Sequence, residues 1–220
     1  MFRGRNQVAR MPSPRTLPAL LVVAGLLLAG STGPARAQSD LQPKTCVYLL
    51  RGLGGRIFTM ALDDLATRLK ERSICAKVGD FGDYPEMTKD AENRYKSGEI
   101  QTVIIVGQSL GGGMATRMAK SLNGSGVPVS LLLTVEPTFV LDVAANVSTA
   151  INLYLPNGLG RRLEPAANFH GRIYNLDQKN VWAIEHIWSF AILEDRIFDY
   201  VLAAAGPPVD VTGSILSPVH

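Results

Sequence analysis

Short apolar runs alternate with stretches of helical periodicity along most of the chain. Cys46–Leu50 (CVYLL) is an apolar run that enters a glycine turn, Arg51-Gly52-Leu53-Gly54-Gly55. Behind it Phe58, Leu62, Leu65 and Leu69 recur at three- and four-residue spacing, which predicts a helix with one apolar face. Residues 75–79 read as a second strand, and 86–97 as a polar helix with a narrow stripe of Met87, Ala91 and Tyr95. Thr102–Val106 (TVIIV) is β-branched enough for a buried strand. Met114, Met118 and Leu122 then line one face of a helix that a Gly-Ser-Gly-Val-Pro turn ends. Val129–Val135 (VSLLLTV), Ala150–Leu155 (AINLYL) and Arg172–Leu176 (RIYNL) read as three more strands. Phe190, Leu193, Ile197, Val201 and Ala204 mark a closing helix. Continuously apolar strands separated by helices need cover on both faces. The pattern therefore predicts an α/β domain, a mostly parallel sheet of about six strands with helices on both sides.

The beginning of the chain breaks this pattern. Arg3, Arg5, Arg10, Arg15 and Arg36 fall in the first 37 residues, where no acid occurs. Leu17–Gly30 is apolar over 14 residues, and Ala35-Arg36-Ala37 supplies a small-x-small cleavage pattern. Charged opening, apolar run and cleavage site in that order predict a signal peptide over residues 1–37. Fourteen helical residues reach only about 21 Å, short of a ~30 Å hydrocarbon core, which argues against a spanning anchor. No cysteine follows the run to carry a lipid. The expected mature chain is Gln38–His220, secreted or periplasmic, without a stable membrane anchor. It divides into one domain, 38–205, and a Pro-containing flexible tail, 206–220.

The formal charge of +3 belongs to the leader: without it 17 basic residues face 19 acidic ones. The electrostatic case for a nucleic-acid partner disappears with it. Two cysteines among 220 residues exclude a disulfide-dense scaffold, and without a histidine cluster they make no zinc site. In an oxidising compartment Cys46 and Cys75, each opening a strand, pair as a disulfide if those strands are neighbours; otherwise they are two buried thiols.

The chemistry lies where TVIIV runs into Gly107-Gln108-Ser109-Leu110-Gly111, followed by Gly112, Gly113 and a helix. This is G-x-S-x-G with a buried strand before it and a helix after it, the context that gives the motif meaning. The turn is tight enough to exclude side chains at both glycines. It lifts Ser109 above the sheet edge at a helix N-terminus that favours developing negative charge.

On these residues the chain resembles the α/β-hydrolase superfamily, in particular its small lipase-, esterase- and thioesterase-like members. The resemblance runs from CVYLL-RGLGG through GQSLGG to the closing histidine and helix. It implies that Ser109 is a nucleophile and that the backbone N–H groups of Leu53 and Leu110 form an oxyanion hole, with Arg51-Gly52 where relatives have His-Gly or Arg-Gly. It implies no cofactor. The base is expected late in the chain. His186, after RIYNL and before the last helix, stands where the resemblance places it. His170 precedes that strand, at the wrong end of a parallel sheet, and His220 is the last residue of the tail. Chain order leaves Glu136, Asp142, Glu164, Asp177 and Glu185 as acids. Glu136 ends VSLLLTV in a Glu-Pro pair, where related chains carry Asp-Pro. It fits if AINLYL and RIYNL are both in the sheet. Asp177 replaces it if AINLYL is not.

Other signals lead nowhere. Gly52-Leu53-Gly54 lacks the third glycine of a dinucleotide fingerprint, Ile57 standing in its place. Gly107–Gly113 has no lysine for a phosphate loop. Asp63-Asp64 reads as a solvated helix face and Arg161-Arg162 as an exposed turn. The reading is a serine hydrolase of a small-molecule ester or thioester, with little chain left for a lid and so an open cleft suited to small or surface-held esters. Its rivals are an acyltransferase using the same residues and an inactive fold of this type serving as a binding or envelope-associated protein.

Overall fold

The computed structural model describes residues 44–55, 60–181 and 184–206. The expected leader, Phe58, Trp182, His220 and the tail after Gly206 lie outside the described residues. Strands β1 (Thr45–Arg51), β2 (Cys75–Asp80), β3 (Thr102–Gln108), β4 (Val129–Val135), β5 (Val147–Tyr154) and β6 (Arg172–Asp177) form one sheet in the order β2-β1-β3-β4-β5-β6. Every pairing is parallel. The helices are α1 (Met60–Glu71), α2 (Tyr84–Lys96), α3 (Leu110–Gly124) and α4 (Ser189–Ala205).

Strand side chains point alternately to the two faces, and both are dry. Val47 and Leu49 of β1 and Ile104 and Val106 of β3 pack with Leu62, Leu65 and Leu69 of α1 and Phe190, Leu193 and Ile197 of α4. Their neighbours Tyr48, Leu50, Val103 and Ile105 pack with Met87 and Ala91 of α2 and Met118 and Leu122 of α3. The predicted strands and helices are all present. β5 begins earlier than the apolar run indicates, at Val147, and α1 is described from Met60.

The crossovers β4–β5 and β5–β6 contain no helix. Their backbone groups find other partners, as buried amides must. Asn152 is fully buried; its Nδ2 donates to the Arg161 carbonyl at 2.8 Å and to Asn175 Oδ1 at 2.9 Å. Asn175 in turn accepts from Leu163 N–H at 2.8 Å and donates to the Leu163 carbonyl at 3.0 Å. Two asparagines in adjacent strands thus bind the returning segment against the sheet.

Cys46 and Cys75 are register partners on β1 and β2, their sulfurs at disulfide distance. The Arg94 guanidinium donates to both, at 3.1 and 3.0 Å. Beside it Tyr48 donates to Asp90 at 2.8 Å and Lys77 pairs with Asp90 at 2.6 Å. Burial, reinforced by Asp90, pushes the Tyr48 phenol far above its ordinary range. Burial also works against the Asp90 charge, but the bonds from Lys77 and Tyr48 outweigh it and hold that carboxyl below its usual range.

The chain enters at β1, runs outward to β2, and returns to the other side of β1 as β3. Successive connections therefore leave the carboxyl ends of β1 and β3 in opposite directions. In an open parallel sheet that divergence makes a crevice, the usual place for a ligand.

Candidate active site

Ser109 stands in this crevice. It follows β3 at φ 55°, ψ −122°, a left-handed conformation that non-glycine residues rarely adopt. Its N–H still donates to the Val135 carbonyl at 2.9 Å, extending the β3–β4 ladder by one residue, while its own carbonyl accepts from Gly112 at 3.0 Å. The turn closes only around glycine. A Cβ on Gly107 would lie 2.3 Å from the Gly111 carbonyl oxygen, and one on Gly111 would lie 2.1 Å from that of Leu50. Leu110 then opens α3, so its N–H is among those with no acceptor inside the helix, at the positive end of the helix dipole.

Glu136 repeats the device one strand further on. It follows β4 at φ 48°, and its N–H donates to the Leu153 carbonyl at 2.9 Å. Only three described non-glycine residues have positive φ; two of them are Ser109 and Glu136, and the third, Ser73, is in the turn after α1. Backbone strain of about 1–3 kcal/mol at such positions persists where the surroundings hold it, and it concentrates at functional sites.

His186 joins the two. Its Nε2 is 2.9 Å from Ser109 Oγ and its Nδ1 is 3.2 Å from Glu136 Oε2. The Glu136 side chain is 1% exposed and that of His186 21%. The carboxylate is thus shut away from water while the imidazole remains reachable. The second carboxylate oxygen, Oε1, accepts from the N–H of Leu155. Room for the carboxylate comes from Gly158 and Gly160, whose absent side chains would come within 2.6 Å of Oε2 and 2.3 Å of Oε1. With Oε1 held by the Leu155 N–H, the other carboxyl oxygen is turned toward the imidazole.

The loop bearing His186 is tied from beneath by Gln108. This side chain is 2% exposed, and its Nε2 donates to the carbonyls of His186 and Ile187, each at 3.3 Å. Ser189 adds a bond to the His186 carbonyl at 2.9 Å. On the other side of Ser109, Gly52 comes so close that a Cβ there would lie 2.9 Å from Ser109 Cβ. That contact sets the backbone of Gly52 and Leu53 beside the serine. Arg51, buried at the end of β1, pairs with Asp63 of α1 at 2.5 Å and with Asp80 of β2 at 3.4 Å. The three elements around the Gly52 turn share one guanidinium. Asp63 therefore corrects the expectation of a solvated face; only its neighbour Asp64 is exposed.

The remaining candidates lie elsewhere. Asp177 ends β6, where its Oδ1 accepts from the Lys179 N–H at 2.8 Å. β5 and β6 are both in the sheet, the condition under which Glu136 fits. His170, Asp142, Glu164 and Glu185 are exposed, as are Arg161 and Arg162. The sequence reading missed Gln108, Asp63 and the pair Gly158 and Gly160. For Asp63 a signal existed: it follows buried Leu62 and precedes Ala66 by one turn, at the edge of the apolar face. Among the described residues no group of three or more His, Cys, Asp or Glu is placed to hold a metal ion. No described helix is long and apolar enough to cross a membrane.

No family model and no curated protein sequence matches the chain. Solved structures do resemble it. A type II thioesterase, BorB, from the borrelidin biosynthetic cluster is 11% identical, covering 73% of this chain and 92% of its own, with a TM-score of 0.48. A cutinase-like protein from Cryptococcus sp. is 9% identical over 76% of this chain and 98% of its own, with a TM-score of 0.46. An acetyl xylan esterase is 11% identical over 74% and 99%, with a TM-score of 0.43. Six parallel strands in the order β2-β1-β3-β4-β5-β6, helices on both faces, and a strand–glycine turn–helix around Ser109 together make this an α/β-hydrolase fold.

Proposed function

We propose that the protein is a serine hydrolase that cleaves a carboxylic ester or thioester through an acyl-enzyme. The observation that carries this reading is the continuous relay Ser109 Oγ, His186 Nε2, His186 Nδ1, Glu136 Oε2, with separations of 2.9 and 3.2 Å. A serine hydroxyl is a weak nucleophile until a base takes its proton as it attacks. His186 is within hydrogen-bond reach for that transfer. Glu136 fixes the tautomer with the proton on Nδ1, so that Nε2 carries the free lone pair, and it stabilises the imidazolium once formed.

Attack by Oγ on the carbonyl carbon moves the carbonyl π electrons onto oxygen. That oxyanion is received by the N–H groups of Leu53 and Leu110, donors fixed before the charge appears. The imidazolium then gives its proton to the departing alkoxide or thiolate. The ester of Ser109 that remains is hydrolysed by a water whose proton His186 takes, and collapse of the second tetrahedral species restores the serine. No step calls for a cofactor. The disulfide-distance pair on β1 and β2 fits an oxidising compartment, secreted or periplasmic.

Mixing the protein with excess p-nitrophenyl acetate tests the acyl-enzyme. The expected result is a burst of nitrophenolate equal to the protein concentration, followed by slower steady release. Linear release from time zero at a rate that the Ser109→Ala variant matches contradicts the proposal.

A further inference from the structure

The described surface places its large exposed hydrophobic side chains at one end of the molecule. They are Leu53, Met60, Leu159, Ile187, Trp188 and Ile192. All six belong to segments that leave the carboxyl ends of the strands, and most are tied to the site by a neighbour in the chain. Leu53, 69% exposed, follows the glycine that touches Ser109. Leu159 lies between the two glycines that flank the Glu136 carboxylate. Ile187 and Trp188 follow His186, and Ile192 stands one helical turn beyond Trp188, its N–H donating to the Trp188 carbonyl at 3.0 Å. Met60 opens α1, three residues before the carboxylate that Arg51 holds.

Single exposed leucines are ordinary on a protein surface. A collar of them confined to one end, around a reactive serine, is the arrangement that marks an apolar contact site. What covers the collar follows from where it stands. Leu53, Leu159 and Ile187 each adjoin a residue that touches Ser109, His186 or Glu136, so an apolar surface that meets the collar also meets the mouth of the site. We infer, on the hydrolase reading above, that the substrate is an acyl ester presented at an apolar–water interface, and that the collar seats the protein on that interface. The ester bond breaks at Ser109 as already described; the collar adds no chemical step and instead raises the local concentration of carbonyl at the site.

Tributyrin, assayed below and above its solubility limit, reads this directly. The quantity is the ratio of specific activity on dispersed to dissolved ester, with the dissolved rate extrapolated to the same total concentration. Wild type should show a ratio of about ten or more, and replacing Leu159, Trp188 and Ile192 together by Ser should bring it close to one, since burying three such side chains is a substantial part of the attraction to an apolar phase. Each single substitution should lower the ratio partway, which keeps the test informative if the triple variant does not fold. A wild-type ratio near one, or variants that keep the wild-type ratio, overturns the inference while leaving the hydrolase reading intact. A wild type that hydrolyses neither form and releases nitrophenolate from p-nitrophenyl acetate no faster than the Ser109→Ala variant overturns both.

Discussion

Ser109→Ala should lower kcat on any accepted ester by about 10⁴-fold or more, the scale at which loss of a nucleophile leaves only binding and oxyanion stabilisation. Its thermal midpoint should stay near that of wild type. The Oγ atom makes one described hydrogen bond, to His186, and an alanine in the same turn keeps the backbone bonds to Val135 and Gly112. Steady-state kinetics with a p-nitrophenyl ester, beside a thermal melt of the same preparation, checks both halves. A variant that is folded and still turns over within tenfold of wild type would show that another group attacks.

Glu136→Gln should be nearly as damaging, about 10³–10⁴-fold in kcat with a much smaller change in KM. An amide at this place is almost isosteric, so the damage is electrical and tautomeric rather than steric. The glutamine can turn its NH2 toward His186 Nδ1 and leave the proton on Nε2, where it blocks acceptance from the serine. It also removes the charge that stabilises the imidazolium. Asp177→Asn is the control, because that carboxylate is occupied with the Lys179 N–H and should leave kcat within about twofold. Full activity in Glu136→Gln together with loss in Asp177→Asn would transfer the acid role to Asp177.

The contrast between those two acids shows how far local pattern reaches. The strand before Ser109, its glycines and the helix after it are encoded within a dozen residues, and the alternation of apolar runs suffices to draw the sheet. Glu136 and Asp177 both end apolar strands, and nothing local ranks them. The choice turns on whether residues 147–154 pair with β4, because that pairing sets β6 one strand further from the serine. Asn152 and Asn175 hold the helix-free crossover against the paired strands, and asparagines inside a strand carry no sign of that role beforehand. Gln108 was equally silent. Its acceptors are the backbone carbonyls of His186 and Ile187, nearly eighty residues away, and they exist as a site only once α4 has packed on β3 and β4. Gly158 and Gly160 read as turn residues, which they are. Their second role, clearance for a buried carboxylate, depends on an acid that reaches them from another loop. Asp63 is the exception, since its position at the margin of the α1 apolar face, behind an arginine that ends a buried strand, could have been weighed as a pair.

A fluorophosphonate probe reports whether His186 and Glu136 activate Ser109, since the reagent needs an activated serine and no knowledge of the substrate. Purified Gln38–His220 is treated with the probe and digested, and the adduct is located by mass spectrometry, with Ser109→Ala and Glu136→Gln treated in parallel. The expected result is a single adduct on Ser109, absent from the alanine variant and formed far more slowly in Glu136→Gln. Folded wild-type protein that takes up no probe, or takes it up at another residue, would contradict it.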